Sequence, residues 1–294
     1  MMKPPALSVL LCCAIHAGGE PDPQREPVWQ GAHAIPGHLG DAEKDEAFYT
    51  VHRPEKPNGT LVVVCPGGGY HQVVKGPEGS GIARWLNEHG ITAVVLEYRL
   101  PRGNGHRPTW DAQRAIRIAR HHAKDWNCDP RRVGIIGFSA GGHLAAVAST
   151  TFTLGELGAE NPVNAVSSRP DFAMLIYPIT TMADEAITHK GSKEAFLTKK
   201  PGNRLFLIDL ASPLAKVRPN TPPTFLAHAA DDTVVSPENS RRYHAALKEQ
   251  GVKTRYLELP AGGHGLNRYQ GPHWDAWQQA SLDWLRSIGM LAAP

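Results

Sequence analysis

Ser139 lies in Gly137-Phe138-Ser139-Ala140-Gly141, a GxSxG string that follows the apolar run Val133 to Phe138 (VGIIGF) and opens a second apolar segment from Ala140 to Ser149. Glycines around the serine permit a sharp strand-to-helix turn that lifts its hydroxyl above a sheet. The N–H of Ala140 then sits at a helix N-terminus, where negative charge is favoured. A hydroxyl is a weak nucleophile until a base takes its proton, and the base needs a partner to orient it. Candidates for both follow apolar runs downstream: Asp231-Asp232-Thr233-Val234-Val235 after Thr224 to Ala227 (TFLA), and Gly262-Gly263-His264-Gly265 after Thr254 to Leu259 (TRYLEL). Serine first, acid next and imidazole last is one of the chain orders in which a Ser-His-Asp relay occurs. Of the two aspartates, Asp232 is the expected partner and Asp231 is expected to bond its own loop backbone. His264 stands apart from the other histidines because the glycines beside it let the imidazole reach over the strand ends.

Pro66-Gly67-Gly68-Gly69-Tyr70 follows the run Leu61 to Cys65 (LVVVC). Three successive glycines are costly in backbone entropy, so a close backbone approach is expected here. Its natural use is an oxyanion hole, with the N–H groups of Gly68 and Gly69 joining that of Ala140; a plain turn is the blander alternative. No Lys-Ser/Thr follows the glycines and no GxGxxG is present, which excludes phosphate-loop and dinucleotide readings. Tyr70 and His71 are candidate substrate contacts, although His71 equally suits a solvated surface. His121, His122, His189, His244 and His273 occupy polar or helical surroundings and are expected to be solvated, and Asp111 and Arg114 to form a surface pair. Without an HExxH or similar pattern, neither a metal nor any other cofactor is expected.

These loops need a scaffold that brings them to one edge. Leu61 to Cys65, Ile91 to Leu96, Val133 to Phe138, Phe172 to Tyr177 and Thr224 to Ala227 are continuous apolar runs, as in parallel strands covered on both faces. Thr254 to Leu259 alternates and suits a position nearer an edge, and Glu46 to His52 reads as an antiparallel strand. Between them lie helical segments: Gly81 to His89, Thr109 to Trp126, Ala140 to Ser149, Pro237 to Gln250 and His273 to Ile288. In the second of these Ala112, Ala115, Ile116, Ala119 and Ala123 share one face. Alternation at this repeat predicts an α/β fold with a mostly parallel, doubly wound sheet and helices on both faces. The stretch at about 179–220 breaks the alternation and reads as a small insertion after the sixth strand, over the end where ligands bind in such sheets.

With 41% hydrophobic residues in 294, a chain this long buries roughly 75% of its unfolded surface, so disorder is excluded as its main state. Lys and Arg number 31 against 28 Asp and Glu and no dense basic run occurs, so a nucleic-acid partner is not expected. Ala6 to Ala17 is apolar, follows Lys3 and precedes Gly18-Gly19. It is too short to span a bilayer and reads as a signal peptide over residues 1–17, predicting a secreted or periplasmic protein with no membrane attachment afterwards. Residues 18–45 would be a flexible lead-in and 46–294 a single domain. Cys65 and Cys128 are expected to be free thiols. Nothing in the sequence bears on oligomeric state.

The segments PGGGY, EGSGIARWLNEHGITAVVLEYRLP, WDAQRAIRIARHHAKDWNCDPRRVGIIGFSAGGHLAA, PPTFLAHAADDTVV and GGHG together resemble the α/β-hydrolase fold esterases of the acetyl xylan esterase and prolyl-oligopeptidase-like carbohydrate esterase group. The resemblance runs from about Leu61 to the C-terminus. It implies deacetylation of plant polysaccharides, with Ser139, Asp232 and His264 matching the family's triad and Gly68, Gly69 and Ala140 its oxyanion hole. Related lipases carry His before the glycines where this chain has Pro66. The expected partner is an acylated carbohydrate or other small ester. Feruloyl or short-chain ester hydrolysis, peptidase activity and a non-catalytic binding role are the alternatives.

Overall fold

Alternate residues of one short strand feed two separate cores. In β3 (Leu61–Cys65), Leu61, Val63 and Cys65 face one cluster while Val62 and Val64 face the other, the two-residue repeat of a strand covered on both sides. This computed structural model describes residues 23–29, 35–40, 45–197 and 204–292; the signal-peptide reading of residues 1–17 lies outside them.

Eight described strands form one sheet: β1 (Arg25–Pro27), β2 (Phe48–His52), β3, β4 (Thr92–Glu97), β5 (Val133–Phe138), β6 (Phe172–Ile176), β7 (Thr224–Ala229) and β8 (Thr254–Leu259), in the order β1-β2-β4-β3-β5-β6-β7-β8. β1 with β2 and β2 with β4 are antiparallel, and the other pairs are parallel. The alternating strand β8 is at the edge, as its pattern predicts. From β3 the chain winds outward to β4 and then returns to place β5 on the other side of β3. The C-terminal ends of β3 and β5 therefore flank the switch point, where open α/β sheets bind ligands.

Helices α1 (Gly81–Glu88) and α7 (Pro272–Ser287) cover one face through Ile82, Leu86, Trp277 and Leu285. On the other face lie α2 (His106–His121), α3 (Ala140–Thr150) and α6 (Glu238–Glu249), through Ala112, Ile116, Leu144 and Leu247. The segment after β6 holds two short helices, α4 (Lys190–Phe196) and α5 (Arg204–Leu210). No described helix is long and apolar enough to cross a membrane.

Three expectations need correction. Arg25–Pro27 belongs to the sheet rather than to a flexible lead-in, and Arg25 forms a two-point ion pair with Glu97. Helix α2 starts at His106 and not at Thr109, because a proline is tolerated in the first turn, where N–H groups have no helical acceptor. Asp111 and Arg114 are not a surface pair. Asp111 is fully buried against Arg99 at 2.6 Å and accepts from Trp29 Nε1 at 2.7 Å; Arg114 is buried and donates to Asn164 Oδ1. Cys65 and Cys128 are free and buried.

Candidate active site

β5 ends at Phe138 and α3 begins at Ala140, so Ser139 alone turns the chain. Its φ of 52° and ψ of −118° are strained for an L-residue, and its N–H is held by Ile176 O at 3.0 Å. The flanking glycines answer to contact distance: a Cβ on Gly137 would stand 2.1 Å from Gly141 O, and one on Gly141 would stand 2.1 Å from Cys65 O. β5, α3 and the end of β3 thus meet backbone to backbone, and no side chain fits between them.

His264 lies between Ser139 and Asp232. Its Nε2 is 2.8 Å from Ser139 Oγ and its Nδ1 is 2.7 Å from Asp232 Oδ2. With the carboxylate able only to accept, Nδ1–H donates to Asp232 and Nε2 is left to accept the serine proton. Gly262, Gly263 and Gly265 adopt φ of 130°, 57° and 83°, a loop course open to glycine at little cost. Asp231 does not serve its own loop as expected. Its carboxylate accepts from Gly262 N and Gly263 N at 3.3 and 2.8 Å, tying the acid loop to the histidine loop.

Asp232 accepts four hydrogen bonds. Val234 N and Val235 N donate to Oδ1, both at 2.9 Å, and a second imidazole, the fully buried His228, approaches Oδ2 at 3.2 Å. Burial alone would raise this carboxyl, but the bonds from His228, His264 and Val235 outweigh it and hold it well below the usual carboxylate range. It is a fixed negative charge beside His264. His228 is itself placed by Ser240 Oγ at 2.8 Å and Val235 O at 3.0 Å.

The glycine loop passes Ser139 at Gly67, where a Cβ would come 3.1 Å from Ser139 Cβ. Gly67 N–H is already taken by Glu78 Oε2 at 2.6 Å. The N–H groups of Gly68 and Gly69 have no acceptor among the described residues. Ala140 N–H opens α3, where a helix leaves its first donors unpaired. The glycine loop and the start of α3 therefore carry unused donors next to the turn that holds Ser139.

Glu78 was not singled out by sequence reasoning. It is 2% exposed, holds Gly67 through one oxygen and accepts from Tyr177 OH at 3.0 Å through the other. Burial raises its pKa, partly offset by the Gly67 and Tyr177 bonds and by the charge of His264. Tyr177 in turn packs edge-on against the His264 ring, with centroids 4.9 Å apart.

Tyr70 is not the open substrate contact expected of it. It is 2% exposed, and its hydroxyl meets His143 Nδ1 at 2.7 Å while His143 Nε2 donates to Ala211 O at 2.9 Å. Burial lowers the His143 pKa to about 4, so this neutral ring links the glycine loop, α3 and the segment after β6. His71, by contrast, is exposed beside Gly69.

The BD-FAE family matches residues 48–247. A protein named acetylxylan esterase from Xylanibacter ruminicola is 37% identical over 242 residues, covering 80% of this chain and 47% of that protein. Endo-1,4-beta-xylanase B of Butyrivibrio fibrisolvens is 31% identical over 238 residues, covering 78% and 36%. The chain thus spans about half or less of the length of these curated relatives. Among solved structures, an acetyl ester-xyloside bifunctional hydrolase from Caldicellulosiruptor lactoaceticus superposes with a TM-score of 0.84 at 36% identity, over 92% of this chain and 98% of that one. A carboxylesterase from Lactobacillus plantarum shares the fold at a TM-score of 0.74 and 23% identity, covering 92% of this chain and 99% of that one. Two thirds of the sequence matched by one family, and nearly the whole fold matched by one structure, lead to a single conclusion: the chain belongs to the BD-FAE family and has the α/β-hydrolase fold.

Proposed function

We propose that this protein hydrolyses carboxylic esters, chiefly acetyl esters on xylan-type polysaccharide or oligosaccharide, through Ser139, His264 and Asp232. The observation that carries the reading is His264 in hydrogen-bond contact with both Ser139 Oγ and Asp232 Oδ2, at 2.8 and 2.7 Å. His264 takes the serine proton as Oγ attacks the ester carbonyl, while Asp232 keeps the imidazole in the productive tautomer and stabilises its cation. The N–H groups of Gly68, Gly69 and Ala140 receive the oxyanion, each such donor being worth about 3 kcal/mol. His264 then protonates the departing alcohol, and water activated by the same ring releases the acid from Ser139.

The acetyl and xylan choices are supported by similarity to proteins named for those substrates. The apolar run before Gly18 supports action outside the cytoplasm. Hydrolysis of acetylated xylan, feruloylated oligosaccharide and a short-chain aryl ester tests substrate choice, and Ser139→Ala tests the mechanism. A loss of about a thousandfold or more in kcat/KM is expected for the variant. Near wild-type ester hydrolysis by Ser139→Ala would overturn the assignment.

A further inference from the structure

Residues 185–191, from the segment after β6, face the acid loop across a cleft of about 450 Å³, within the range of ligand pockets, roughly 300–1,000 Å³. Its walls are mainly polar, with Glu185, Thr188, His189 and Lys190 on one side and Thr233 and Ser236 on the other, and Asp232 forms part of its lining. It therefore adjoins the Ser139–His264–Asp232 series.

His189 is held in one state. Ser192 N–H donates to its Nδ1 at 3.2 Å, so the neutral ring carries its proton on Nε2. Burial keeps its pKa below the usual histidine value, with His264 and His71 acting in the same direction and Asp232 against them. Gly191 puts no side chain in the way: a Cβ there would lie 3.3 Å from His189 Cε1 and 3.9 Å from His71 Nε2. One imidazole from the inserted segment and one from the glycine loop thus both approach Gly191, in the lining of the cleft.

Direction follows from the chemistry. The carbonyl oxygen must turn toward the glycine loop, while the departing oxygen must face His264 to receive its proton. The cleft adjoins the acid loop through Asp232, Thr233, Val234 and Ser236, and His71 of the glycine loop approaches it at Gly191. A wall of hydroxyls, a neutral N–H donor, a carboxylate and an ammonium matches a hydroxyl-rich alcohol better than an aryl one.

We propose that this cleft is the subsite for the sugar alcohol of the ester, and that His189 and His71 are specificity-determining residues that hold its hydroxyls. The inference rests on the ester-hydrolase reading above.

His189→Asn is the informative variant. Asn is a strong helix cap and retains an acceptor for Ser192 N–H, yet it is too short to present a donor where His189 Nε2 stands. Kinetics are compared on two substrates with the same acyl group, an acetylated xylo-oligosaccharide and p-nitrophenyl acetate. Loss of one hydrogen bond to the sugar raises KM for the oligosaccharide about tenfold and leaves kcat/KM for the aryl ester within about twofold. His71→Ala gives the same selective loss. Equal losses on both esters, or no loss on the oligosaccharide, overturn the subsite while leaving ester hydrolysis in place. A wild-type enzyme that cleaves neither ester overturns the functional reading and the subsite with it.

Discussion

Asp232 bonds the His264 imidazole and Glu78 bonds the tyrosine packed against it; both carboxylates are buried, and their surroundings push them in opposite directions. The folded pKa of Asp232 is depressed, so its contribution to stability is present above its unfolded value of about 3.9 and is lost as pH falls through the folded pKa. Glu78 is raised. Its contribution is complete below its unfolded value of about 4.3 and is lost as pH rises through the folded pKa. Burial works against a charge on Glu78 while its bonds favour one: Gly67 N–H and Tyr177 OH both donate to it, and Tyr177 packs against the His264 ring. Glu78→Gln keeps the size and an acceptor but weakens a charge-assisted bond. Its kcat on p-nitrophenyl acetate is expected to fall about tenfold, as loosened positioning does. Chemical denaturation at pH 8 is expected to show a variant no less stable than wild type. A variant with unchanged kcat, or one markedly less stable at pH 8, contradicts this account. In a pH series of unfolding free energies, Asp232→Asn is expected to flatten the acid limb below pH about 4.

At the scale of elements, the strand-to-helix turn at Ser139 depends on atoms that are absent. Gly141→Ala would drive a Cβ into Cys65 O and Pro66 O, at 2.1 and 2.4 Å. These are backbone atoms of β3 and the glycine loop, so no rotamer change relieves the clash. The cost is expected at about 3 kcal/mol or more, read as a lower midpoint in urea together with loss of esterase activity. An active, fully stable Gly141→Ala protein would show that the backbones are not in contact. The elbow was legible in the sequence because its requirements are local: apolar strand, glycine, serine, glycine, apolar helix. The same holds for the acid and histidine loops, each a polar string directly after an apolar run. Helix α2 starts three residues before the expected Thr109, and Pro108 falls in its first turn, which accepts a proline.

For the whole molecule, the junction of β4, α2 and the N-terminal segment rests on charges removed from water. Arg99 and Asp111 are both fully buried, and Asp111 also accepts Arg99 N–H at 2.9 Å. Arg107 and Asp45 form a second buried pair that ties the N-terminal segment to α2. Removing one partner of such a pair leaves an unpaired charge in the interior, so Asp111→Ala is expected to lose about 3–5 kcal/mol of stability in denaturant titrations. A loss under about 1 kcal/mol would mean that water reaches the pair, as it does in surface pairs. Fold class, strand identity and the three loops were determined by the sequence itself, because each is written within about ten residues as periodicity, glycine placement or chain order. The partners of those loops were decided only by tertiary structure. Glu78 meets Tyr177 across 99 residues, Tyr70 meets His143 across 73, and His228 in β7 serves Asp232 through a turn that no periodicity announces. Such contacts depend on how the sheet stacks one loop beside another, and a linear pattern carries no record of that distance.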